Sequence, residues 1–337
     1  MELDGIGVMR LAFGGMAAQT LGAAVRIGLP AALGEGEATV ADLSGKIGLP
    51  EAQLRRLLRA TAALGLTAEI APDLFAGRPV LARLAPGDPS ALGDFVRAFT
   101  DPTMVQAWFR LEDSLADGAP AFDTVFGAPF FDHLAEQPEL SASFNAAMRA
   151  GTAPIAGQVA ETVDLGAFGT VVDVGGGDGT LLAALLAANP DLRGTVLDTA
   201  PGSAEAAATF ERAGVSGRAG VEVGDFFTAV PGADAYLMKS IVHDWDDEVC
   251  RGLLRRCREG LSGPDGRVFV VEPVLPDTVG DDASAGIYLS DLNMLVNVGG
   301  KERTRAEFDA LFDAAGLRTV QVHRLPAGFA VLEAAPA

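Results

Sequence analysis

The segment VVDVGGGDGT, residues 171–180, decides the fold class of this chain. A short apolar run leads into a turn that is rich in glycine, and a run of leucine and alanine follows it. Glycine allows positive φ and removes side chains that would keep a ligand away from the backbone. A strand, a glycine-rich turn and a helix in this order bring a nucleotide-like ligand against the backbone. The segment therefore predicts a ligand site at the carboxyl end of a parallel strand.

Strands and helices alternate along the chain after residue 170. This alternation predicts an α/β fold with a parallel, doubly wound sheet. Thr304 and Glu307 match a capping box that begins a further helix, and Gly316 is typical of the residue that ends one. The predicted strands are residues 170–174, 194–198, 220–223, 235–239 and 267–272, followed by a hairpin of residues 318–323 and 328–332.

The first hundred residues read as mainly helical and contain a helix-turn-helix pattern. Thr39 is a predicted cap of a helix that ends at Gly48, and Pro50 suits the first turn of the next helix. Arg55, Arg56 and Arg59 give the second helix some positive charge, as in a DNA-binding module. The formal net charge of −20 opposes binding to a phosphate backbone or an anionic membrane. We therefore favour a winged-helix module used for packing or dimerisation.

The uncharged stretch of residues 11–25 could be mistaken for a targeting segment. It is shorter than the roughly 20 apolar residues of a membrane span, and an acidic segment precedes it, unlike a signal peptide. We predict a buried helix that packs against a partner subunit, in a cytoplasmic protein. Cys250 and Cys257 lie on one predicted helix, and their spacing indicates neither a disulfide framework nor a metal site.

The acids around the glycine turn indicate which ligand it binds. A dinucleotide fingerprint would have a third glycine where Thr180 stands, and Asp173 and Asp178 would repel a pyrophosphate. Asp198, 23 residues after Gly175, lies where a carboxylate accepts hydrogen bonds from ribose hydroxyls. Acids of this kind suit a ligand with a sulfonium and an ammonium group and no phosphate. The pattern therefore predicts S-adenosylmethionine, with a nicotinamide dinucleotide as the alternative.

Six motifs extend this prediction: DVGGGDG (173–179), GDFF (224–227), LMKSIVHDWDD (237–247), VVEPV (270–274), DLNML (291–295) and GGKERT (299–304). In this order they resemble the class I O-methyltransferases, a family with plant caffeic acid and flavonoid enzymes and bacterial polyketide-tailoring enzymes. The resemblance covers nearly the whole chain. It implies a Rossmann-like methyltransferase sheet with an N-terminal winged-helix dimerisation domain.

The resemblance also suggests a division of the chain and a partner. We expect a dimerisation domain at residues 1–100, a helical region that contributes to the substrate cleft at 101–165, and a catalytic domain at 166–337. The implied assembly is a homodimer formed through the N-terminal domain. The implied cofactor is S-adenosylmethionine, with S-adenosylhomocysteine as product and no metal.

Particular residues match the family's cofactor site. The resemblance implies that Asp225 binds toward the adenosine, that Phe226 packs on the adenine, and that Lys239 contributes its side chain or its backbone. The family often has Leu-Pro after the ribose acid, where this chain has Thr199-Ala200, so we expect a different local loop. The full implied set of cofactor-binding residues is Asp173, Gly175, Gly177, Asp198, Asp225, Phe226 and Lys239.

His243 resembles the general base of the family. A hydroxyl oxygen attacks the sulfonium methyl group in line, and it attacks faster as it loses its proton. An imidazole with an ordinary pKa near ~6.5 can take that proton at neutral pH. Glu272 and Glu302 match the acids that flank this histidine, fix its ring and stabilise the imidazolium. The implied catalytic group is His243 with Glu272 and Glu302.

The acceptor site is less sharply marked. Asn293 and Met294 match family positions that face the acceptor, and Trp108, Phe144 and Met148 are possible apolar walls. Aromatic residues and methionine at helical spacing also fit an ordinary core, so both interpretations stay open for the last three. An apolar slot with few polar groups favours a small aromatic or polyketide-like acceptor.

Two further alternatives remain at this stage. Some relatives of the family catalyse hydroxylation or decarboxylation with S-adenosylmethionine as a structural charge; a complete base assembly around His243 argues against that reaction. A regulator that binds DNA through the helix-turn-helix is the other. The leading prediction is transfer of a methyl group from S-adenosylmethionine to a hydroxyl group.

Overall fold

A computed structural model describes residues 4–280, 284–325 and 328–337. The chain divides into two compact units. The first is Met1–Val105 with Ala142–Ala150, and the second is Gln106–Ser141 with Gly151–Ala337. The predicted division at residues 100 and 165 stays a prediction.

Helices and strands are numbered along the chain. The helices are α1 Gly5–Ala12, α2 Gly14–Arg26, α3 Leu29–Leu33, α4 Val40–Ile47, α5 Glu51–Ala63, α6 Pro79–Ala82, α7 Leu92–Phe99, α8 Pro102–Gln106, α9 Leu111–Asp117, α10 Ala121–Phe126, α11 Phe130–Ala135, α12 Pro138–Thr162, α13 Thr180–Ala188, α14 Ala206–Arg212, α15 Asp247–Gly260, α16 Ala285–Asn297 and α17 Arg305–Ala315. The strands are β1 Glu37–Thr39, β2 Thr67–Ala71, β3 Leu74–Gly77, β4 Thr170–Val174, β5 Arg193–Asp198, β6 Ala219–Val223, β7 Ala235–Lys239, β8 Arg267–Leu275, β9 Arg303–Thr304, β10 Leu317–Arg324 and β11 Phe329–Pro336. Short 3-10 helices occupy Ala107–Arg110 and Val242–Asp244.

The first unit contains the predicted helix-turn-helix and a small antiparallel sheet. Thr39 and Asp42 form a capping box at the start of α4, and Gly48 ends that helix in the left-handed conformation with φ 81°. Pro50 lies just before α5 and not in its first turn as predicted. The sheet order β1-β3-β2 places a two-stranded wing after α5.

Two of the three arginines of α5, Arg55 and Arg59, are paired inside this unit. Arg55 donates to both carboxylate oxygens of Asp73, and Arg59 donates to both oxygens of Glu69. The structure therefore gives these charges partners within the domain and adds nothing in favour of DNA binding.

The segment of residues 11–25 is not buried within its own chain, and its predicted packing against a partner subunit stays a prediction. The segment forms parts of two helices, α1 and α2, and large apolar side chains stand in solvent, with Leu11 69% and Met16 67% exposed. Only the end of α2 is buried, around Ala24 and Val25. A local sequence pattern cannot say whether an apolar face is covered by its own chain or left open.

Across the described parts of the chain, no single helix is long and apolar enough to span a bilayer. α1 and α2 together, bent by 44°, meet the length and composition of a span.

The sheet of the second unit has the strand order β10-β11-β8-β7-β4-β5-β6, with β9 beside the end of β8. The strands β6, β5, β4, β7 and β8 run parallel, while β11 and β10 are antiparallel additions at one edge. The predicted doubly wound class is confirmed. Successive strands add on opposite sides of β4, so the switch point lies between β4 and β7, where ligands bind in such folds.

Helices pack through apolar side chains on both faces of the sheet that carries this switch point. α13 packs five fully buried residues against one face of the sheet, and α15 and α17 cover the other face. The predicted capping box of Thr304 and Glu307 begins α17, and Gly316 ends it as expected. Firm packing on both faces means that the loops after β4, β5, β7 and β8 project from a rigid edge.

Candidate active site

The glycine turn after β4 requires glycine for two separate reasons. Gly175, Gly177 and Gly179 have φ of 66°, 55° and 74°, in the left-handed region that side chains disfavour. A Cβ on Gly175 would also lie 2.3 Å from Cδ1 of Ile241 in the loop after β7, whereas one on Gly177 would meet nothing within 4 Å. The turn therefore packs tightly on one side and leaves open space at Gly177.

Asp173 is a buried acid without an internal partner. Its side chain is 1% exposed, and within the described residues no donor reaches either carboxylate oxygen. Burial raises the pKa of Asp173 to about 8, and the negative charge of Asp198 adds to the shift. A buried carboxyl group in this state is costly unless a ligand supplies the missing positive charge or donors. These residues fit S-adenosylmethionine, which carries positive charge and no phosphate.

Asp198 joins the end of β5 to the glycine turn. Its Oδ2 accepts from the Gly177 N–H at 2.8 Å, and its Oδ1 accepts from the N–H and hydroxyl of Thr199 at 2.6 and 3.2 Å. Burial raises the pKa of Asp198, although these hydrogen bonds oppose the shift. Thr199, where the family often has leucine, thus caps the acid.

Phe226 is placed beside the glycine turn by its neighbour. Asp225 accepts from the Phe227 N–H and the Thr228 hydroxyl, both at 2.8 Å, and this closes the turn after β6. The Cε1 atom of Phe226 lies 3.6 Å from the position of a Cβ on Gly175. An exposed Asp225 and a half-buried ring at this point are consistent with an adenosine site.

Lys239 ends β7 between the two groups of acids. Its Nζ donates to Ser240 Oγ at 2.9 Å and lies 5.6 Å from the centre of the Phe329 ring. Burial lowers the pKa of Lys239, while the carboxylates of Glu272 and Asp173 oppose this. Ser240 follows with φ 55°, a strained conformation that turns the chain into the next loop.

His243 lies in the short 3-10 turn after β7, and three acids surround its ring. Nδ1 is 3.1 Å from Glu302 Oε1 and 3.5 Å from Glu272 Oε2. Nε2 is 3.6 Å from Asp244 Oδ1. Because both glutamates lie on the Nδ1 side, the structure brings the three predicted residues together and leaves Nε2 on the opposite side of the ring.

These acids change the basicity of the ring. Burial lowers the pKa of His243, but the charges of Glu272, Asp244 and Glu302 outweigh burial and raise it to about 10. Burial also raises the pKa of Asp244 to about 7, against the opposing charge of His243, and raises the pKa of Glu272. The ordinary value near ~6.5 assumed from sequence therefore does not apply, and the imidazolium is the main form at neutral pH.

Backbone and helix contacts hold the two glutamates in place. Glu272 Oε1 accepts from the N–H groups of Ile241 and Val242, both at 2.9 Å. Glu302 Oε1 accepts from Ser290 Oγ at 2.8 Å. The Oε2 atoms of both glutamates have no hydrogen-bond partner in the described part of the chain. Ser290 was not predicted, although its place on α16 one turn before Asn293 could have indicated it.

Two of the residues predicted to face the acceptor, Asn293 and Met294, lie on α16. Asn293 Oδ1 accepts from Trp108 Nε1 at 3.0 Å and from Asn297 Nδ2 at 2.8 Å. An indole N–H can only donate, so the oxygen of the Asn293 amide faces Trp108. Met294 is the next residue on the helix and is half-buried. Trp108 and Asn293, which sequence placed near the acceptor, are thus in direct contact.

Phe144 and Met148 lie on α12, in the part of that helix that belongs to the first unit. Their role as acceptor walls stays a prediction. His243, Glu272 and Glu302 also offer donor atoms that lie within 4.8 Å of one another and could hold a metal ion. The contacts above already give Nδ1 and both glutamates another role, and the expected absence of a metal stays a prediction.

Comparisons with known proteins agree with this geometry. An O-methyltransferase domain matches residues 108–318, and an O-methyltransferase dimerisation domain matches residues 9–78. The chain belongs to the O-methyltransferase family. This O-methyltransferase is 43% identical over 335 residues to the O-demethylpuromycin-O-methyltransferase of Streptomyces alboniger, across 98% of this chain and 88% of the relative.

Solved structures add the cofactor. A mitomycin 7-O-methyltransferase matches with TM-score 0.92 and 36% identity over 98% of this chain and 97% of the other. An O-methyltransferase from neocarzinostatin biosynthesis, solved with S-adenosylmethionine and 2-hydroxy-5-methyl naphthoic acid, matches with TM-score 0.80 and 33% identity over 96% of each chain. This O-methyltransferase uses S-adenosylmethionine and releases S-adenosylhomocysteine, which replaces the nicotinamide alternative.

Proposed function

We propose that His243 removes the proton from a hydroxyl group of a small, ring-containing acceptor while that oxygen is methylated. The observation that carries the proposal is the asymmetric ring environment. Nδ1 faces Glu302 and Glu272 at 3.1 and 3.5 Å, whereas Nε2 has Asp244 Oδ1 at 3.6 Å, so we assign Nε2 to the acceptor. A histidine held in this way has a fixed orientation and a stabilised charged form.

The cofactor side supports this arrangement. S-adenosylmethionine supplies an electrophilic methyl group on a positively charged sulfur. Asp173 offers an unpaired buried carboxyl group to the cationic ligand, and Asp198 keeps capacity for ribose hydroxyls beside its bond to Gly177. Phe226 offers its ring face to the adenine, and the open space at Gly177 admits the ligand.

The proton step follows from the raised pKa. The neutral His243 imidazole is the minor form in the ligand-free protein at neutral pH, because the neighbouring acids raise its pKa to about 10. A base of this strength is scarce but takes a phenolic proton readily once it is neutral. Glu302 and Glu272 then stabilise the imidazolium that forms. Activity should therefore rise with pH above neutrality, because the neutral imidazole becomes more abundant.

Placement accounts for most of the rate. Holding the reacting oxygen and methyl group in line contributes roughly 7–11 kcal/mol, whereas a general base contributes about 10²–10⁴-fold. We assign acceptor placement to Asn293, which Trp108 and Asn297 contact, and to the neighbouring Met294.

An aromatic natural product is the acceptor class that we favour. The apolar and aromatic residues assigned to the cleft suit a planar ring. Relatives point the same way, since one methylates O-demethylpuromycin and another was solved with a naphthoic acid.

A homodimer is the proposed assembly. The dimerisation domain matches residues 9–78, and apolar side chains of α1 and α2 inside or beside that range are exposed on the single chain, Leu11 and Met16 among them. Apolar exposure of this kind marks an interaction surface.

Incubation with methyl-labelled S-adenosylmethionine and a panel of phenols, naphthoates and aromatic amines tests the proposal. We expect label in an ether oxygen of at least one phenolic acceptor. Turnover that hydroxylates or decarboxylates an acceptor without moving label would replace methyl transfer by the alternative reaction. Label on nitrogen alone would overturn the hydroxyl assignment.

A further inference from the structure

Arg303 is a fully buried cation that the proposed reaction does not use, with 0% of its side chain exposed. Its Nη1 donates to the Val242 carbonyl at 2.7 Å, and its Nη2 donates to the Trp245 carbonyl at 2.8 Å. These two carbonyls stand on either side of His243 in sequence. Asp247 balances the charge, with its Oδ1 at 2.8 Å from Nη2 and 3.1 Å from Nε.

The residues just before Arg303 contact the same loop. The Lys301 N–H donates to the His243 carbonyl at 2.9 Å, and Glu302 contacts the ring of His243. A Cβ on Gly300 would lie 2.0 Å from the His243 carbonyl oxygen, so only glycine fits there without displacement. Four consecutive residues, segment 300–303, therefore press against the loop that carries the proposed base.

Groups of opposite charge contact the two kinds of backbone polar group in this loop. Glu272 accepts from its N–H groups, and Arg303 and the Lys301 N–H donate to its carbonyls. The Arg303 guanidinium meets three separate acceptors at once because its donors are arranged in a planar fork. A lysine ammonium could keep the charge but could not reach all of these acceptors from one position.

We propose that Arg303 is a positioning residue, which together with Gly300 sets the place of His243 relative to Glu302 and the acceptor. The inference rests on the proposed function of His243. It goes further in assigning the geometry of the base to segment 300–303, which donates to carbonyls of the loop while Glu272 accepts from its N–H groups.

Arg303→Lys tests the inference. A shift of about 1 Å in a reacting group can cost on the order of 10²-fold, so we expect kcat to fall by about 10- to 100-fold. Affinity for S-adenosylhomocysteine, measured by calorimetry, should stay within about twofold, because the cofactor residues are untouched. A looser loop moves His243 away from the glutamates, so its pKa should fall and the acid limb of the pH–rate profile should move to lower pH.

Gly300→Ala disturbs the same loop without removing a buried charge, and it keeps the inference testable if Arg303→Lys folds poorly. It should lower kcat and move the acid limb in the same direction. The matched control is Arg305→Lys, two residues along, where Arg305 pairs with Asp309 on an exposed face of α17. That variant should keep the wild-type kcat and pH profile.

The outcomes distinguish a failure of the positioning role of Arg303 from a failure of the base role of His243. If folded Gly300→Ala and folded Arg303→Lys both retain the wild-type kcat and pH profile while His243→Ala is impaired, the positioning role is overturned and the base assignment stands. If His243→Ala retains full activity, the proposed function fails first. If Arg303→Lys loses activity only in proportion to lost S-adenosylhomocysteine binding, the residue is merely structural and the inference is overturned.

Discussion

Two pairs of acids lie at the carboxyl edge of the same sheet, and they differ in what they already hold. Asp173 and Asp198 lie near the carboxyl ends of the central strands β4 and β5, and Asp173 has no donor in the described residues. Glu272 lies in β8 and Glu302 immediately precedes β9. Both contact the ring of His243. In the first pair Asp173 therefore lacks a partner that a cationic ligand could supply, whereas the second pair contacts a histidine of its own chain.

The difference shows that an acid at a strand end has no fixed role. Burial raises the pKa of Asp173, the charge of Lys239 opposes this shift in part, and a cationic ligand would oppose it further. The negative charges of the two glutamates instead raise the pKa of His243. Cofactor binding and proton removal should therefore be separable by mutation, since each pair responds to a different positive charge.

The largest expected effect is on the base side alone. His243→Ala should lower kcat by about 10²–10⁴-fold, because the variant lacks the imidazole that takes the acceptor proton. Affinity for S-adenosylhomocysteine should be unchanged in calorimetry, because Asp173 and Asp198 remain. A parallel loss of cofactor affinity would show that the two acid pairs are not independent.

The next largest effect concerns Asp173. Its raised pKa, about 8, means that binding a cationic ligand in the ionised site releases a proton, so affinity should strengthen as pH rises toward 8 and level off above it. Asp173→Asn should weaken S-adenosylmethionine binding by about 10- to 100-fold and remove this pH dependence. Calorimetric titrations at about pH 6, 7, 8 and 9 measure this pH dependence of affinity. Affinity that is independent of pH in the wild-type protein would contradict the ionisation assigned to Asp173.

A smaller effect is expected from Glu302→Gln. The amide still accepts at Nδ1 but carries no charge, so the pKa of His243 should fall and the acid limb of the pH–rate profile should move to lower pH. The plateau kcat should fall by about tenfold, because a weaker base removes the proton less readily. An acid limb that stays in place would mean that Glu302 does not set the basicity of the ring.

The smallest effect is expected from Thr199→Ala. The hydroxyl is one of three donors to Asp198 and lies at 3.2 Å, so its loss should weaken S-adenosylmethionine binding by only about two- to threefold. The variant serves as a matched control for Asp173→Asn on the same sheet edge. A change as large as that of Asp173→Asn would indicate that the loop after β5 collapses.

Features that depend on near neighbours could be predicted from sequence. Both capping boxes, at Thr39 and Thr304, use residues three apart, and the glycine turn uses consecutive residues. The family motifs similarly led to His243 and to its glutamates. The capping boxes and the glycine turn could be predicted because they depend on residues that are close together in sequence.

Features that depend on distant partners could not be predicted. The glutamates that raise the pKa of His243 are 29 and 59 residues away, and their effect depends on distances that only the fold sets. Nothing in the motif GGKERT indicates that Arg303 is buried, yet its side chain packs against the loop at 242–245. Exposure of Leu11 and Met16 could not be read from their apolarity either.

The central claim is that His243 matters because it removes a proton. The direct test compares wild-type protein and His243→Ala on acceptors of falling hydroxyl pKa, from a simple phenol to a nitrophenol that is already ionised in the assay. We expect the ratio of kcat values to be about 10²–10⁴ for the phenol and to fall toward one for the ionised acceptor, which needs no base. An equal loss on both acceptors would contradict the claim and assign His243 to placement instead.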